Sequence, residues 1–204
     1  MAAGQGTAGE GGAPEGGAPE GGAPEAGAAE STGDIAELIQ ARVRDIADYP
    51  QPGVMFKDIT PLLADGAALA AVVGALSSGH DGVDKVAGIE ARGFILAASV
   101  AIQLGAGFVP VRKQGKLPGP TYAQSYDLEY GSAIIEVHQD AFAPGERVLI
   151  VDDVLATGGT GAAAVELVRK AGAEVAGIAV IMELSFLGGQ ARLPGVPIRS
   201  LLVV

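Results

Sequence analysis

Cysteine and tryptophan are absent from this chain, and histidine occurs only twice. Without cysteine there is no disulfide, no thiolate nucleophile and no cysteine-ligated metal. Two histidines are too few for a His-rich metal site. His80 lies in a Ser-Gly-His-Asp-Gly loop and His138 near a strand end, so both read as solvated. Long apolar runs are missing too: no stretch of about 18 apolar residues occurs, so no membrane span is expected. Basic charge is scarce, with 13 Lys+Arg against 24 Asp+Glu and a net charge of −11. That balance disfavours nonspecific nucleic-acid binding and attachment to anionic membrane.

The first 33 residues are a different material from the rest. GGAPE occurs three times in succession, at 11–15, 16–20 and 21–25, and the segment holds five Glu with no Lys or Arg. No aliphatic side chain larger than Ala follows Met1 there, so the segment cannot bury enough apolar surface to offset its ordering entropy. Residues 1–33 are expected to be a disordered, solubilising Gly/Ala/Pro/Glu-rich tail. The tail lacks the basic and apolar regions of a secretory signal and the Arg of a presequence, and the expected location is the cytoplasm. Residues 34–204 suit one domain.

What is present is concentrated in residues 147–160, RVLIVDDVLATGGT. Apolar β-formers Val148 to Val151 lead into adjacent carboxylates, Asp152 and Asp153. A turn ending Thr157-Gly158-Gly159-Thr160 follows, then an Ala-rich segment, Gly161 to Ala171, that reads as a helix. A loop of small residues lets backbone N–H groups wrap a phosphate, and the helix N-terminus behind it adds partial positive charge. Ala156, Thr157, Gly158, Gly159 and Thr160 are therefore the candidate phosphate-binding residues. Carboxylates beside a phosphate site make sense when the ligand is a sugar phosphate, since an ionised carboxylate accepts from hydroxyl donors. Asp152 and Asp153 are the candidate ribose ligands. Gly159-x-Gly161-x-x-Ala164 fits a relaxed dinucleotide fingerprint, but that fingerprint belongs directly after the strand, and here the Asp pair and Leu155-Ala156 intervene. The Gly-Lys-Ser/Thr triplet of a Walker A loop is missing.

Periodicity supplies the frame. Asp34 is placed to cap a helix with Ile35, Leu38, Ile39, Val43 and Ile46 on one face. Tyr49-Pro50-Gln51-Pro52-Gly53 stops it. Met55–Ile59 reads as extended, Leu62–Leu76 as a helix, Lys85–Glu90 as a strand, Phe94–Leu104 as a helix and Gly107–Val111 as a strand. Arg112–Ser125 is a long polar stretch, and Leu128–Val137 returns to extended structure. Strands at 148–151, 175–182 and 198–204 finish the chain. Alternating apolar strands and helices imply an α/β fold, a mostly parallel sheet with helices on both faces. In such sheets ligands bind at the carboxyl ends of the strands. The Asp pair, the Glu90-Ala91-Arg92-Gly93 turn and the Arg112-Lys113 pair all fall there.

Arg92 opens a helix after a strand and would aim a planar guanidinium at phosphate oxygens; the plainer alternative is a surface Arg. Arg112, Lys113 and Lys116 put three cations in five residues of an acidic chain, an anion site or else a solvated loop. A mobile loop carrying cations can close over a reacting site, exclude water and reopen. Glu129, at the far end of that stretch, is a carboxylate that could serve in proton transfer, against the simpler reading of a solvated strand residue.

Residues 147–160 resemble the phosphoribosyl pyrophosphate (PRPP) signature of the type I phosphoribosyltransferases. RKxGKLPG from Arg112, SYxLEYG from Ser125, and Tyr49-Pro-x-Pro-Gly-Val-x-Phe-Lys-Asp-Ile-Thr60 narrow the likeness to the adenine branch. Together these motifs span about residues 34–190. The resemblance implies a small hood and a flexible loop added to the sheet. It implies transfer of ribose 5-phosphate from PRPP to adenine, giving AMP and pyrophosphate in purine salvage, with Mg2+ carried mainly on PRPP and no dedicated protein metal ligands. It implies Arg92, Lys113, Lys116 and Tyr130 at pyrophosphate, and Arg92 and Glu129 as catalytic residues. It also implies Met55, Phe56, Lys57, Ala156 and Leu184 around the base, and a homodimer. Lys57 stands where the family commonly has Arg, and Ala91 where it commonly has Ser. The competing readings are a 6-oxopurine phosphoribosyltransferase and a non-catalytic PRPP-binding regulator. The regulator needs a DNA-binding module, and a cation-free tail does not provide one.

Overall fold

The structure is a computed structural model and describes residues 32–127 and 131–204. Its centre is a seven-stranded sheet built around β7 (Arg147–Leu155). The side chains of Val148, Leu149, Ile150 and Val151 are all fully buried. A strand that is apolar at four consecutive positions has to be covered on both faces, because successive side chains point in opposite directions. Both faces are covered. Val148 and Ile150 pack with α5 (Gly159–Lys170). Leu149 and Val151 pack with α1 (Thr32–Gln40), α3 (Gly66–Ser77) and α4 (Arg92–Leu104). Full burial of each such side chain stabilises by about 1.5–3 kcal/mol, so this one strand anchors two cores at once.

On one side of β7 lie β3 (Lys85–Ile89) and β4 (Gly107–Lys113); on the other lie β8 (Glu174–Glu183) and β9 (Ile198–Val203), all parallel. The expected α/β sheet with helices on both faces is the observed one. Its far edge is an antiparallel hairpin, β5 (Thr121–Asp127) with β6 (Ser132–His138), paired through β6 to β4. Lys170 at the end of α5 donates to the Ala123 carbonyl and sits over the Tyr122 ring, holding this hairpin on the helix.

Four boundaries differ from the sequence reading. The stretch Arg112–Ser125 is not one polar loop: its second half is strand β5, because β6 offers a full ladder of partners from Thr121 to Asp127. The helix read across 62–76 is two, α2 (Thr60–Ala64) and α3, broken at Asp65. Asp65 is extended and its carboxylate accepts from the backbone N–H groups of Ala67 and Ala68, an N-cap inside the apolar run. The first helix ends at Gln40, so Val43 and Ile46 are off its face, and Asp34 lies in its first turn rather than at its cap. Ile46 belongs instead to β1 (Arg44–Ala47), which pairs antiparallel with β2 (Met55–Asp58) as a separate two-stranded hood. Finally, Asp152 and Asp153 do not follow the strand but lie within it, since β8 keeps pairing with β7 as far as Leu155↔Glu183.

Candidate active site

The rim forms where the ladder between β3 and β7 stops at Gly88↔Val151. Beyond that point β7 continues with a neighbour on one side only, and its next two residues are Asp152 and Asp153. A Cβ on Gly93 of α4 would come within 2.9 Å of Asp152 Oδ1, and Asp153 pairs with Arg92 of the same helix, so both carboxylates reach the start of α4. The gap beyond β3 lets both reach one cavity of about 340 Å³, within the usual range for a small-molecule site. The hood residues Met55, Phe56 and Lys57 roof it, Ala156 and Leu184 line its wall, and Arg92 closes one side.

Arg92 is not a free surface cation. Its guanidinium donates to the Lys57 carbonyl at 3.1 Å, lies 2.8 Å from Asp153 Oδ2 and stands 4.9 Å from the centre of the Phe56 ring. One side chain thus ties the hood to the carboxylate floor. The contact with Asp153 Oδ2 is an ion pair out of line for a hydrogen bond, so that buried oxygen keeps its accepting capacity. Arg92 begins α4 after a cis Glu90–Ala91 peptide.

The two acids have different electrostatics. Burial pushes the Asp152 carboxyl well above the usual carboxylate range, and the neighbouring Asp153 charge pushes the same way. Burial also raises Asp153, but the Arg92 guanidinium opposes it. Asp152 Oδ1 accepts from the Asp153 N–H at 2.9 Å, which fixes its rotamer. Asp152 is therefore the member that holds a proton more readily, and hydroxyl donors would favour its ionised form.

Next to the cavity is a smaller recess of about 80 Å³, lined by Ala156 to Gly161 on one side and by apolar residues such as Ile89, Ile178 and Val180 on the other, and sharing Asp152, Ala156 and Thr160 with the cavity. Here Gly158 has φ +79°, and a Cβ on it would collide with the Gly189 carbonyl oxygen. Gly159 opens α5, whose first N–H groups have no side-chain cap. An anion-sized space at uncapped N–H groups, with Thr157 and Thr160 hydroxyls beside it, suits a phosphate.

Lys113 and Lys116 are exposed and do not line the cavity. They flank a tight turn that is held down. Glu90 accepts from the Arg112 guanidinium and the Lys113 N–H, Glu136 accepts from the Gly115 N–H, and Arg112 also donates to the Lys116 carbonyl. Over 112–116 the cationic stretch is a hydrogen-bonded turn in this structure. Glu129 and Tyr130 lie outside the described residues. Tyr126 and Val154 line the cavity although the sequence reading did not assign them to it. Tyr126 stood in the quoted SYxLEYG segment, and its strand alternation was the available signal; Val154 had none beyond adjacency to the Asp pair.

Residues 59–192 match the phosphoribosyl transferase domain family. An adenine phosphoribosyltransferase of Streptomyces coelicolor is 63% identical over 181 residues, covering 86% of this chain and 99% of that protein. The chain belongs to the adenine phosphoribosyltransferase family. Among solved structures, the adenine phosphoribosyltransferase of Rhodothermus marinus superposes with a TM-score of 0.81 at 49% identity, covering 84% of this chain and 99% of that one. The Saccharomyces cerevisiae adenine phosphoribosyltransferase, solved with an imino-altritol bisphosphate and adenine, gives 0.79 at 35% identity, covering 83% and 99%. This chain brings its rim, hood and glycine loop to adjoining recesses.

Proposed function

We propose that this chain transfers ribose 5-phosphate from PRPP to adenine, releasing AMP and pyrophosphate in purine salvage. The observation that carries the reading is the continuity of two recesses through Asp152, Ala156 and Thr160. A phosphate in the glycine loop puts a ribose over the Asp pair and a base under the hood.

In the reaction the C1′–oxygen bond to pyrophosphate breaks with its electron pair, a base nitrogen attacks C1′, and the base loses its N–H proton. Positive charge develops on the ribose and negative charge on the leaving group. Asp152 and Asp153 orient the hydroxyls and place negative potential below the ribose, with Asp153 Oδ2 available as acceptor. Arg92 is the proposed cation for the departing pyrophosphate, an effect of roughly 3 kcal/mol for one such donor. Lys113 and Lys116 reach that group only if their turn shifts. Phe56 and Leu184 supply apolar faces for a flat base. Glu129 is the proposed proton acceptor and Tyr130 a pyrophosphate neighbour, both on sequence grounds.

Among the described residues no three His, Asp or Glu side chains group to hold a metal. The hard oxygens of Asp152 and Asp153 would suit an Mg2+ ion brought by PRPP, and such an ion would neutralise phosphate charge. We place the enzyme in the cytoplasm, where charged sugar phosphates are retained, and as a homodimer, in keeping with exposed Ile95 and Ile102 on one face of α4.

Turnover of PRPP–Mg2+ with adenine, hypoxanthine and guanine tests the reading. AMP and stoichiometric pyrophosphate from adenine alone are expected; turnover of the 6-oxopurines in preference to adenine, or binding of PRPP without turnover, overturns it.

A further inference from the structure

The carboxylate of Glu183 is buried and carries no role in the reaction above. It stands at the end of β8, where its own backbone pairs with Leu155 and Val203. Its Oε2 accepts two hydrogen bonds of 2.8 Å, one from Gln190 Nε2 and one from Ser200 Oγ. Among the described residues no Lys or Arg forms an ion pair with it. A buried carboxylate held only by neutral donors is costly unless both donors stay in place.

The two donors lie on different elements. Ser200 belongs to β9, already fixed by its ladder to β8. Gln190 belongs to a short 3-10 turn, Gly189–Arg192, outside the sheet. Its neighbour Gly189 is buried against the glycine loop: a Cβ there would overlap the Ala156 carbonyl oxygen and come within 3.1 Å of the Gly158 nitrogen. Gly158 in turn has no room for a Cβ because of the Gly189 carbonyl. The loop therefore rests on the 3-10 turn, backbone on backbone; Leu193 at the end of that turn is buried in the core, and the Gln190–Glu183 bond is the side-chain hydrogen bond that ties the turn to β8.

We propose that Glu183 is a positioning residue for the phosphate loop, acting through Gln190 and Gly189 to hold Ala156–Gly158 in the conformation that receives the 5′-phosphate. The inference rests on the reading of residues 156–160 as the 5′-phosphate site. Its signature is unequal: binding of ligands that carry that phosphate changes more than binding of the base, since of residues 156–158 Ala156 alone also lines the larger cavity. Ser200, bonded to the same oxygen from the sheet side, is the internal control.

The test compares Gln190→Ala, Gln190→Lys, Ser200→Ala and Thr160→Val in the full-length protein. The readouts are KM for PRPP, KM for adenine, AMP affinity by calorimetry, and melting temperature. Gln190 is exposed, so its replacement leaves the core intact. Gln190→Ala is expected to raise KM for PRPP and weaken AMP roughly tenfold, with a much smaller change in KM for adenine and a melting temperature lowered no further than in Ser200→Ala. Gln190→Lys, which restores a donor to the carboxylate, should recover most of the loss, and Ser200→Ala should leave PRPP binding as it is. Wild-type PRPP and AMP binding in Gln190→Ala overturns the proposal, as does an equal rise in both KM values with a lower melting temperature. If Thr160→Val weakens AMP while Gln190→Ala does not, the tether is wrong and the phosphate site stands. If Thr160→Val leaves AMP and PRPP binding untouched, the phosphate site itself fails, and the tether with it.

Discussion

Arg92 and Asp153 form an ion pair of 2.8 Å whose guanidinium also donates to the hood at the Lys57 carbonyl and lies over Phe56. The pair joins the roof of the cavity to its floor, so a ligand entering the cavity meets both partners together.

Replacing Arg92 should therefore affect both substrates. Arg92→Ala is expected to lower kcat/KM about a hundredfold through lost stabilisation of the leaving group, and to raise KM for adenine as Phe56 loses its neighbour. Arg92→Lys keeps the charge without the planar fork and should recover only part of this. Steady-state kinetics with each substrate varied decides it; an Arg92→Ala enzyme within twofold of wild type would mean the bridge is structural only.

Asp152 is expected to trade stability for function. Its folded-state pKa is raised above the unfolded value of 3.8 by burial and by Asp153. Between these two values the folded protein binds more protons than the unfolded chain, so stability falls as pH rises through that window. Asp152→Asn keeps the oxygen that accepts from the Asp153 N–H and removes the charge. At neutral pH it should melt at the wild-type temperature or higher while losing most activity, and the thermal gain should disappear in acid, where wild-type Asp152 is protonated. Melting curves across pH check this; a mutant destabilised at neutral pH contradicts it.

Gly158→Ala should damage the phosphate loop in two ways, through its positive φ and through collision with the Gly189 carbonyl. A cost of about 1–3 kcal/mol in unfolding and a larger than tenfold loss of AMP affinity are expected. Gly172 also has a positive φ, +85°, but the nearest atom to its would-be Cβ is at 4.0 Å. Gly172→Ala should cost the strain alone and bind AMP normally. Denaturant titration with calorimetry separates the two; equal AMP affinity in both mutants refutes the loop assignment.

For Glu129 the expectation comes from sequence. Glu129→Gln should lower kcat with PRPP affinity nearly unchanged, which single-turnover kinetics and PRPP titration can separate. Full kcat in that variant would assign the proton to another acceptor.

Local patterning carried a large part of this protein. Four buried β-formers followed by two acids and TGGT announce a strand, a polar rim and a loop, because burial and backbone freedom act at those positions whatever surrounds them. The hood strand Met55–Asp58 was legible for the same reason. Strand ends were less so. β7 runs on through both acids because β8 supplies partners there, and β5 exists because β6 does. Neither partner is visible in the strand's own sequence.

The amino-acid sequence by itself determined the α/β class, the rim, the glycine loop and the family, since each rests on residue types at short spacing. Only the tertiary structure decided what each side chain meets. It paired Arg92 with Asp153, brought both acids to the start of α4, held Lys113 and Lys116 in a turn that does not line the cavity, and set Gly189 behind Gly158. The physical reason is range. A strand or a turn is chosen by neighbours a few residues away, whereas an ion pair across 61 positions or a backbone contact across 31 exists only once the sheet has brought its ends together.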